Sequence, residues 1–275
     1  MSEHRFPPGV PGPRPAAENG ALTPVSSPGI LALAPDLVAV DKPAGLPVVP
    51  ARGEAPEHCL RARLEGELGE RLWVVHRLDR ETSGVVVFAR HPDAHRALSL
   101  AFERREVAKT YVAFVGGPRL AEQGRVELAL HAARRGKTRP ARPGEPGARP
   151  AATTWRVARR WPVAGDAGLE IARLELAPET GRHHQIRVHL RSLGVPILFD
   201  RAYGRGSVAL PPEAPCARLA LHALRLTLPL DALDRARTFE APLAQDLAAL
   251  ERWLDARGEF QSVVEGAAQD FHGRG

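Results

Sequence analysis

Apolar residues recur along this chain with two periods. Leu60, Leu64 and Leu68 lie four apart, as do Ala94, Leu98 and Phe102, and Leu243, Leu247, Leu250 and Leu254 follow a similar rhythm near the end. Spacing near 3.6 residues gathers such positions on one face, so helices are expected over 57–69, over 93–105 and through Leu243 to Leu254. Elsewhere the apolar runs are short or alternate. Leu37–Val40, Leu46–Val49, Trp73–Val75, Val85–Phe88 and Trp155–Val157 read as strands, as do Val107–Val115, Leu169–Leu176 and Leu221–Leu228. The turn Lys42-Pro43-Ala44-Gly45 separates the first two.

The stretches between these elements set the organisation. Residues 1–29 hold seven prolines, Pro7 to Pro28, and few large apolar side chains, which favours a flexible tail. Residues 134–151 turn to Arg, Pro and Gly and are expected to form a flexible basic loop, and residues 258–275 a polar tail. No repeat of solenoid or propeller period is present. What remains, 30–257, is expected to be one domain. Hairpin-like strand pairs and separated helices replace regular βαβ alternation, so its class is α+β.

Composition narrows the function classes. In 275 residues, 44% are hydrophobic and 25% charged, the values of an ordinary globular protein. No uncharged apolar run approaches the roughly 20 residues of a membrane helix, and prolines stand where a secretory signal would be apolar. A cytoplasmic protein is expected. Cys59 and Cys216 make neither a disulfide framework nor a cysteine-rich zinc site. The net charge of +6 points to a polyanionic partner. Apart from Lys42, Lys109 and Lys137 the basic residues are arginines, whose planar forks grip phosphate and stack on bases; a G- and C-rich genome would also write Arg for Lys.

Two polar clusters are candidates for chemistry. Asp79 sits in a polar segment between the strands ending at Val75 and beginning at Val85, where a rigid scaffold can present a carboxylate, although such residues also serve merely to close turns. The second cluster, Gly181–Leu190, reads as a helix with Ile186, Leu190 and Leu193 on its apolar face, Arg187 and His183 on one flank and His189 on the other. An arginine in that position often only snorkels. His183, His184, His189 and His222 raise a metal site, but their spacing is not that of a zincin and no nearby carboxylate or cysteine completes a set, so no metal is expected. Gly204–Gly206 is too short for a phosphate loop, and Ser83 lies in no nucleophile elbow. Tyr111 is either a platform for base stacking or an ordinary outward strand residue.

Taken together, separated segments resemble the RluA-type family of RNA pseudouridine synthases. They are Val40-Asp41-Lys42-Pro43-Ala44-Gly45-Leu46, His76-Arg77-Leu78-Asp79 with Thr82-Ser83-Gly84, and Lys109-Thr110-Tyr111. Gly181-Arg182-His183-His184-Gln185-Ile186-Arg187-Val188-His189 follows, then Gly194-Val195-Pro196-Ile197 with Asp200 and Tyr203-Gly204, and Leu221-His222-Ala223. They stand in the family's order over roughly residues 35–230.

The resemblance implies a mixed, largely antiparallel central sheet with flanking helices and a basic cleft. It implies isomerisation of uridine in ribosomal or transfer RNA without cofactor or metal, Asp79 as the catalytic aspartate, Arg187 as its ionic partner and Tyr111 as the residue against the target base. Arg77, Lys109, Arg182, Gln185 and His189 fall in its motifs and are expected to meet RNA, with Ile186 and Leu221 walling the pocket. Arg134, Arg135, Lys137, Arg139 and Arg142 are expected to hold RNA backbone. No obligate protein partner and no membrane are implied, and a monomer is expected. The rival reading is an RNA-binding or assembly factor without turnover. The chain departs from the family at His183, where a small hydroxyl residue is common, and at Phe199, where glycine usually precedes the aspartate. Its N-terminal region does not look like the S4 module of many relatives.

Overall fold

Every residue of the run Leu37–Val40 is buried, because the strand it forms is covered on both faces. In the computed structural model, which describes residues 28–51, 53–166, 168–229, 237–258 and 260–261, this run lies in β2 (Leu37–Lys42) between β1 (Gly29–Leu33) and β4 (Ser83–Ala89). Leu37 and Ala39 pack with Val85, Val87 and Ala89 beneath α2 (Pro92–Glu103). Val38 and Val40 pack with Val86 and Phe88 beneath α1 (Leu60–Leu68).

The remaining strands extend this sheet. They are β3 (Trp73–Val74), β5 (Ala108–Pro118), β6 (Gln123–Glu127), β9 (Ala152–Ala164), β10 (Leu169–Pro178), β11 (Leu221–Leu228), β12 (Arg237–Glu240) and β13 (Phe260–Gln261); β7 (Leu130–Ala132) and β8 (Thr138–Pro140) pair separately. The path β1-β2-β4-β11-β5-β10-β9-β13 is antiparallel except where β11 meets β4 and β13 meets β9. The fold is thus α+β with a mixed, largely antiparallel central sheet, as its class was read. On the β5-β10-β9 half, α3 (Gln185–Ser192) and α4 (Gln245–Arg257) complete the largest core, Leu247, Leu250 and Leu254 supplying the α4 face.

The helices end where local chemistry stops them. In α1, Cys59 Sγ accepts the Ala62 N–H, and Gly69 closes the other end in left-handed backbone. In α2, Pro92 begins the helix and His91 Nδ1 accepts the Ala94 N–H. Leu46–Val49, expected as a strand, is instead irregular. Pro47 has no N–H for a ladder, and the Pro47 and Val48 carbonyls accept the Leu60 and Arg61 N–H groups at the start of α1. Residues 134–151, expected as a flexible loop, are partly regular: β8 pairs with β7, and the Arg139 guanidinium binds the Glu145 carboxylate. Most of the expected tails, 1–27 and 262–275, lies outside the described residues.

At the parallel β4–β11 junction the two halves of the sheet touch through Gly84, whose φ is 111° and whose added Cβ would stand 2.1 Å from the Ala223 carbonyl oxygen. The Gly84→Ala substitution is expected to cost about 3 kcal/mol or more in urea unfolding, since neither backbone can give way alone. An unchanged midpoint would refute this contact.

Candidate active site

Asp79 is presented by the segment 75–82, which has no regular structure and is held by main-chain contacts. The Thr82 N–H returns to the Asp79 carbonyl at 3.1 Å, and the Gly45 N–H donates to the Arg80 carbonyl at 2.8 Å. Lys42, fully buried, supplies the third support. Its ammonium donates to the carbonyls of Pro43 and Leu46 at 2.8 Å and of Arg80 at 3.0 Å, one acceptor for each of its N–H donors. Burial pushes it down to about 7. On the other side His76 Nε2 accepts the Val87 N–H, and its ring stacks on Phe102.

Arg187 comes to Asp79 from α3, 108 residues further along the chain. Its Nη1 reaches Asp79 Oδ2 at 3.1 Å, while Nε and Nη2 grip the two oxygens of Asp200 at 2.8 Å each. The Tyr203 ring lies 5.0 Å from the guanidinium carbon. Burial opposes the charge on Arg187, but the Asp200 and Asp79 carboxylates outweigh it and raise its pKa. Burial likewise opposes ionisation of Asp200. Arg187 and the Ala202 and Tyr203 N–H groups overcome it and hold that carboxyl below its usual value.

The pair opens onto a cleft of about 1020 Å³. Tyr111 on β5, Arg77, Lys109, Arg182, Ile186 and Leu221 all line it, so the structure brings these expected residues to the Asp79–Arg187 pair. Burial, then the Asp79 charge, raises the Tyr111 phenol above its ordinary pKa, leaving a neutral ring.

The polar atoms of two expected RNA contacts are already bonded within the protein. His189 is fully buried, with Nε2 donating to the Leu128 carbonyl and Nδ1 accepting from Thr153 Oγ1. Gln185 borders the cleft, yet its Oε1 accepts from Thr180 Oγ1 and the Arg182 N–H while Nε2 donates to the Ala152 carbonyl and Thr153 Oγ1. Both residues tie α3 to the β6–β9 region and have no polar atom left for a ligand.

The cluster 181–190 is also not helical throughout: α3 starts at Gln185, and His184 before it has a φ of 53°. That left-handed residue puts the His183 and His184 rings in a stack at 3.6 Å, and His184 Nε2 lies 3.6 Å from Asp79 Oδ2. Burial pushes His184 down to about 4, against the Asp79 charge, so it is neutral at pH 7. The expectation that no carboxylate joins these histidines does not hold, because Asp79 reaches them from a distant segment. Sequence reasoning also gave Asp200 no role, although the motif containing Tyr203 and Gly204 begins with it. Phe199 has a φ of 60°, which explains why glycine is the usual residue there.

The sequence and the fold have counterparts among known proteins. The family model for RNA pseudouridylate synthase matches residues 36–192. The chain is 39% identical over 230 residues to an uncharacterised RNA pseudouridine synthase of Chloroflexus aurantiacus, covering 80% of this chain and 67% of that one. It is 38% identical over 206 residues to the dual-specificity RNA pseudouridine synthase RluA of Escherichia coli, covering 75% and 89%. The structure of human RNA pseudouridylate synthase domain containing 4 superposes with a TM-score of 0.62 at 29% identity, over 82% of this chain and 93% of that one.

Two measurements check the energetics of the site. Asp200→Asn leaves the buried guanidinium without its main partner and is expected to cost about 3 kcal/mol in urea unfolding; a loss below about 1 kcal/mol would contradict the buried pair. His222 is fully buried, with Nδ1 accepting from Ser83 Oγ and Nε2 donating to the Ala241 carbonyl, and burial pushes it down to about 4. Its folded pKa lies below the unfolded value of 6.5, so the unfolded chain binds the extra proton, and stability falls as pH drops from about 6.5 toward 4. Melting temperature is expected to decline over that window, with a shallower slope in His222→Asn even if that variant melts lower at pH 8. Equal slopes would remove His222 from the titration.

Proposed function

The chain belongs to the RNA pseudouridylate synthase family and is an RNA pseudouridine synthase of the RluA type, and from that premise we propose that Asp79 is its catalytic carboxylate. One observation supports this most: a carboxylate on the wall of a cleft of about 1020 Å³, room enough for a flipped nucleotide and its neighbours, with Oδ2 held by a buried guanidinium and Oδ1 without a protein partner among the described residues.

The reaction breaks the bond from N1 of uracil to C1′ and joins C5 to C1′. The C5 proton leaves to water and N1 gains one, so no electrons are exchanged with a redox cofactor. Asp79 serves three routes: attack on C1′, addition to the base, or removal of the 2′ proton. Each needs a carboxylate oxygen free to reach the sugar or base, and Arg187, its charge already balanced by Asp200, holds Oδ2 without covering Oδ1.

A uridine inside folded RNA must first leave its stack, at about a few kcal/mol. Tyr111 offers a neutral ring to receive it, with Ile186 and Leu221 as apolar walls. Arg77, exposed at the rim, with Lys109 and Arg182 beside it, supplies cations for the flanking phosphates. Exposed Arg134, Lys137 and Arg142 extend that positive surface along the 130–151 segment. The substrate in this reading is structured RNA, ribosomal or transfer, met in the cytoplasm by a monomer. Among the described residues no helix is long and apolar enough to cross a membrane.

Transcripts of transfer and ribosomal RNA carrying tritium at uridine C5 test the assignment, because isomerisation releases that label to water. Asp79→Asn is expected to lose about 10³-fold or more of the release rate while binding RNA within a few-fold of wild type. Arg187→Ala is expected to be comparably inactive although Arg187 makes no bond. Label release by Asp79→Asn at the wild-type rate would overturn the role of Asp79, and near-native turnover by Arg187→Ala that of Arg187.

A further inference from the structure

We infer that Asp79, His183 and His184 form a binding site for a borderline divalent metal of the Zn²⁺ type, and that a metal held there silences the enzyme by occupying its carboxylate. The inhibition rests on the catalytic reading of Asp79. The binding does not.

The donors are already assembled. One ring nitrogen from each histidine and a carboxylate oxygen of Asp79 lie within 4.8 Å of one another. Bonds of about 2.0–2.2 Å to nitrogen and oxygen need donors roughly 3.3 Å apart, so the widest pair closes by at most about 1.5 Å and His184 Nε2, already 3.6 Å from Asp79 Oδ2, by about 0.3 Å, within the reach of side-chain rotation. Adjacent residues rarely offer both rings to one point. Here the left-handed backbone of His184, rare outside glycine, turns the rings to the same side and stacks them.

The outer partners fit the same purpose. His183 Nδ1 meets Thr138 Oγ1 at 3.1 Å, and His184 Nδ1 meets the Tyr203 hydroxyl at 2.8 Å. The Thr138 hydroxyl can accept from His183 Nδ1, and the Tyr203 oxygen, which already accepts the Thr138 N–H, has a second lone pair for a proton on His184 Nδ1, so a metal that displaces any proton from Nε2 meets two rings whose other nitrogen is anchored, as histidine ligands usually are. His184 Nε2 is the atom facing Asp79. Arg187 is the charge that opposes a cation, and the bidentate grip of Asp200 balances it. Two imidazoles and one carboxylate suit Zn²⁺ or Cu²⁺ rather than Mg²⁺ or Ca²⁺, with open positions for water.

His183 allows a test apart from the Asp79–Arg187 pair, since its ring meets Thr138 Oγ1 and stacks on His184. Full-length protein without a histidine tag is titrated with Zn²⁺ against a chromophoric chelator, and Cu²⁺ is examined by electron paramagnetic resonance. Wild type is expected to bind one equivalent with hyperfine coupling from two imidazoles. His183→Thr is expected to bind at least ~10-fold more weakly with one imidazole, and Asp79→Asn also more weakly. In the tritium-release assay Zn²⁺ is expected to stop wild type, chelator to restore it, and His183→Thr to stay active at the Zn²⁺ concentration that stops wild type. Absence of a stoichiometric site in wild type, or identical binding by wild type and His183→Thr, would overturn the metal site. Equal inhibition of the two enzymes would overturn the mechanism of silencing. If no RNA is turned over, the binding and resonance measurements still decide the site, while the catalytic reading fails separately.

Discussion

A buried guanidinium holds this cleft together. Arg187 is 9% exposed at its side chain, and a cation so placed costs several kcal/mol unless anions repay it. Asp200 does most of that, with both oxygens on Nε and Nη2, which leaves Nη1 to aim at Asp79. The same Asp200 oxygen that meets Nη2 also receives the Ala202 and Tyr203 N–H groups. The Tyr203 hydroxyl then accepts the Thr138 N–H of β8 and meets His184. A single charge thereby connects α3, the loop after it, the β7–β8 hairpin and the segment presenting Asp79.

Much of the fold was legible because burial writes a period into the chain. The four-residue spacing of Leu60, Leu64 and Leu68, and of Ala94, Leu98 and Phe102, located α1 and α2 to within a few residues, with their inward positions as expected. Leu46–Val49 misled because burial alone does not make a strand: Leu46 and Val48 fill the core beneath α1, but their backbone caps a helix and binds Lys42. The 134–151 segment misled in the opposite way. Arg, Pro and Gly predict irregular chain, whereas a short pairing and the anchor from Thr138 to Tyr203 supply order that no local pattern encodes.

The site was legible in its members and less so in their division of labour. Asp79 and Arg187 are 108 residues apart, and only the family's motifs joined them before the fold did. Asp200 escaped because its importance comes from filling the other side of Arg187, a relation between two side chains rather than a property of either. His189 and Gln185 look like ligand contacts in a polar motif, but the interior had already claimed their hydrogen bonds. His183 and His184 carried no metal signature in their spacing, since the third donor arrives from another segment and the turn that stacks the rings is a backbone conformation.

Lys42 grips carbonyl oxygens and no side chain. What it grips is the path of the main chain at Pro43, Leu46 and Arg80, so its hydrogen bonds do not depend on which side chain stands at residue 80. That position borders the cleft, where Arg80 now extends toward Glu54. The rim of the cleft is therefore uncoupled from the placement of the carboxylate one residue earlier. Selection, or an engineer, can rewrite side chains at the mouth to suit a different RNA while the geometry beneath stays as it is, and the freedom to do so is secured by one invisible lysine in the core.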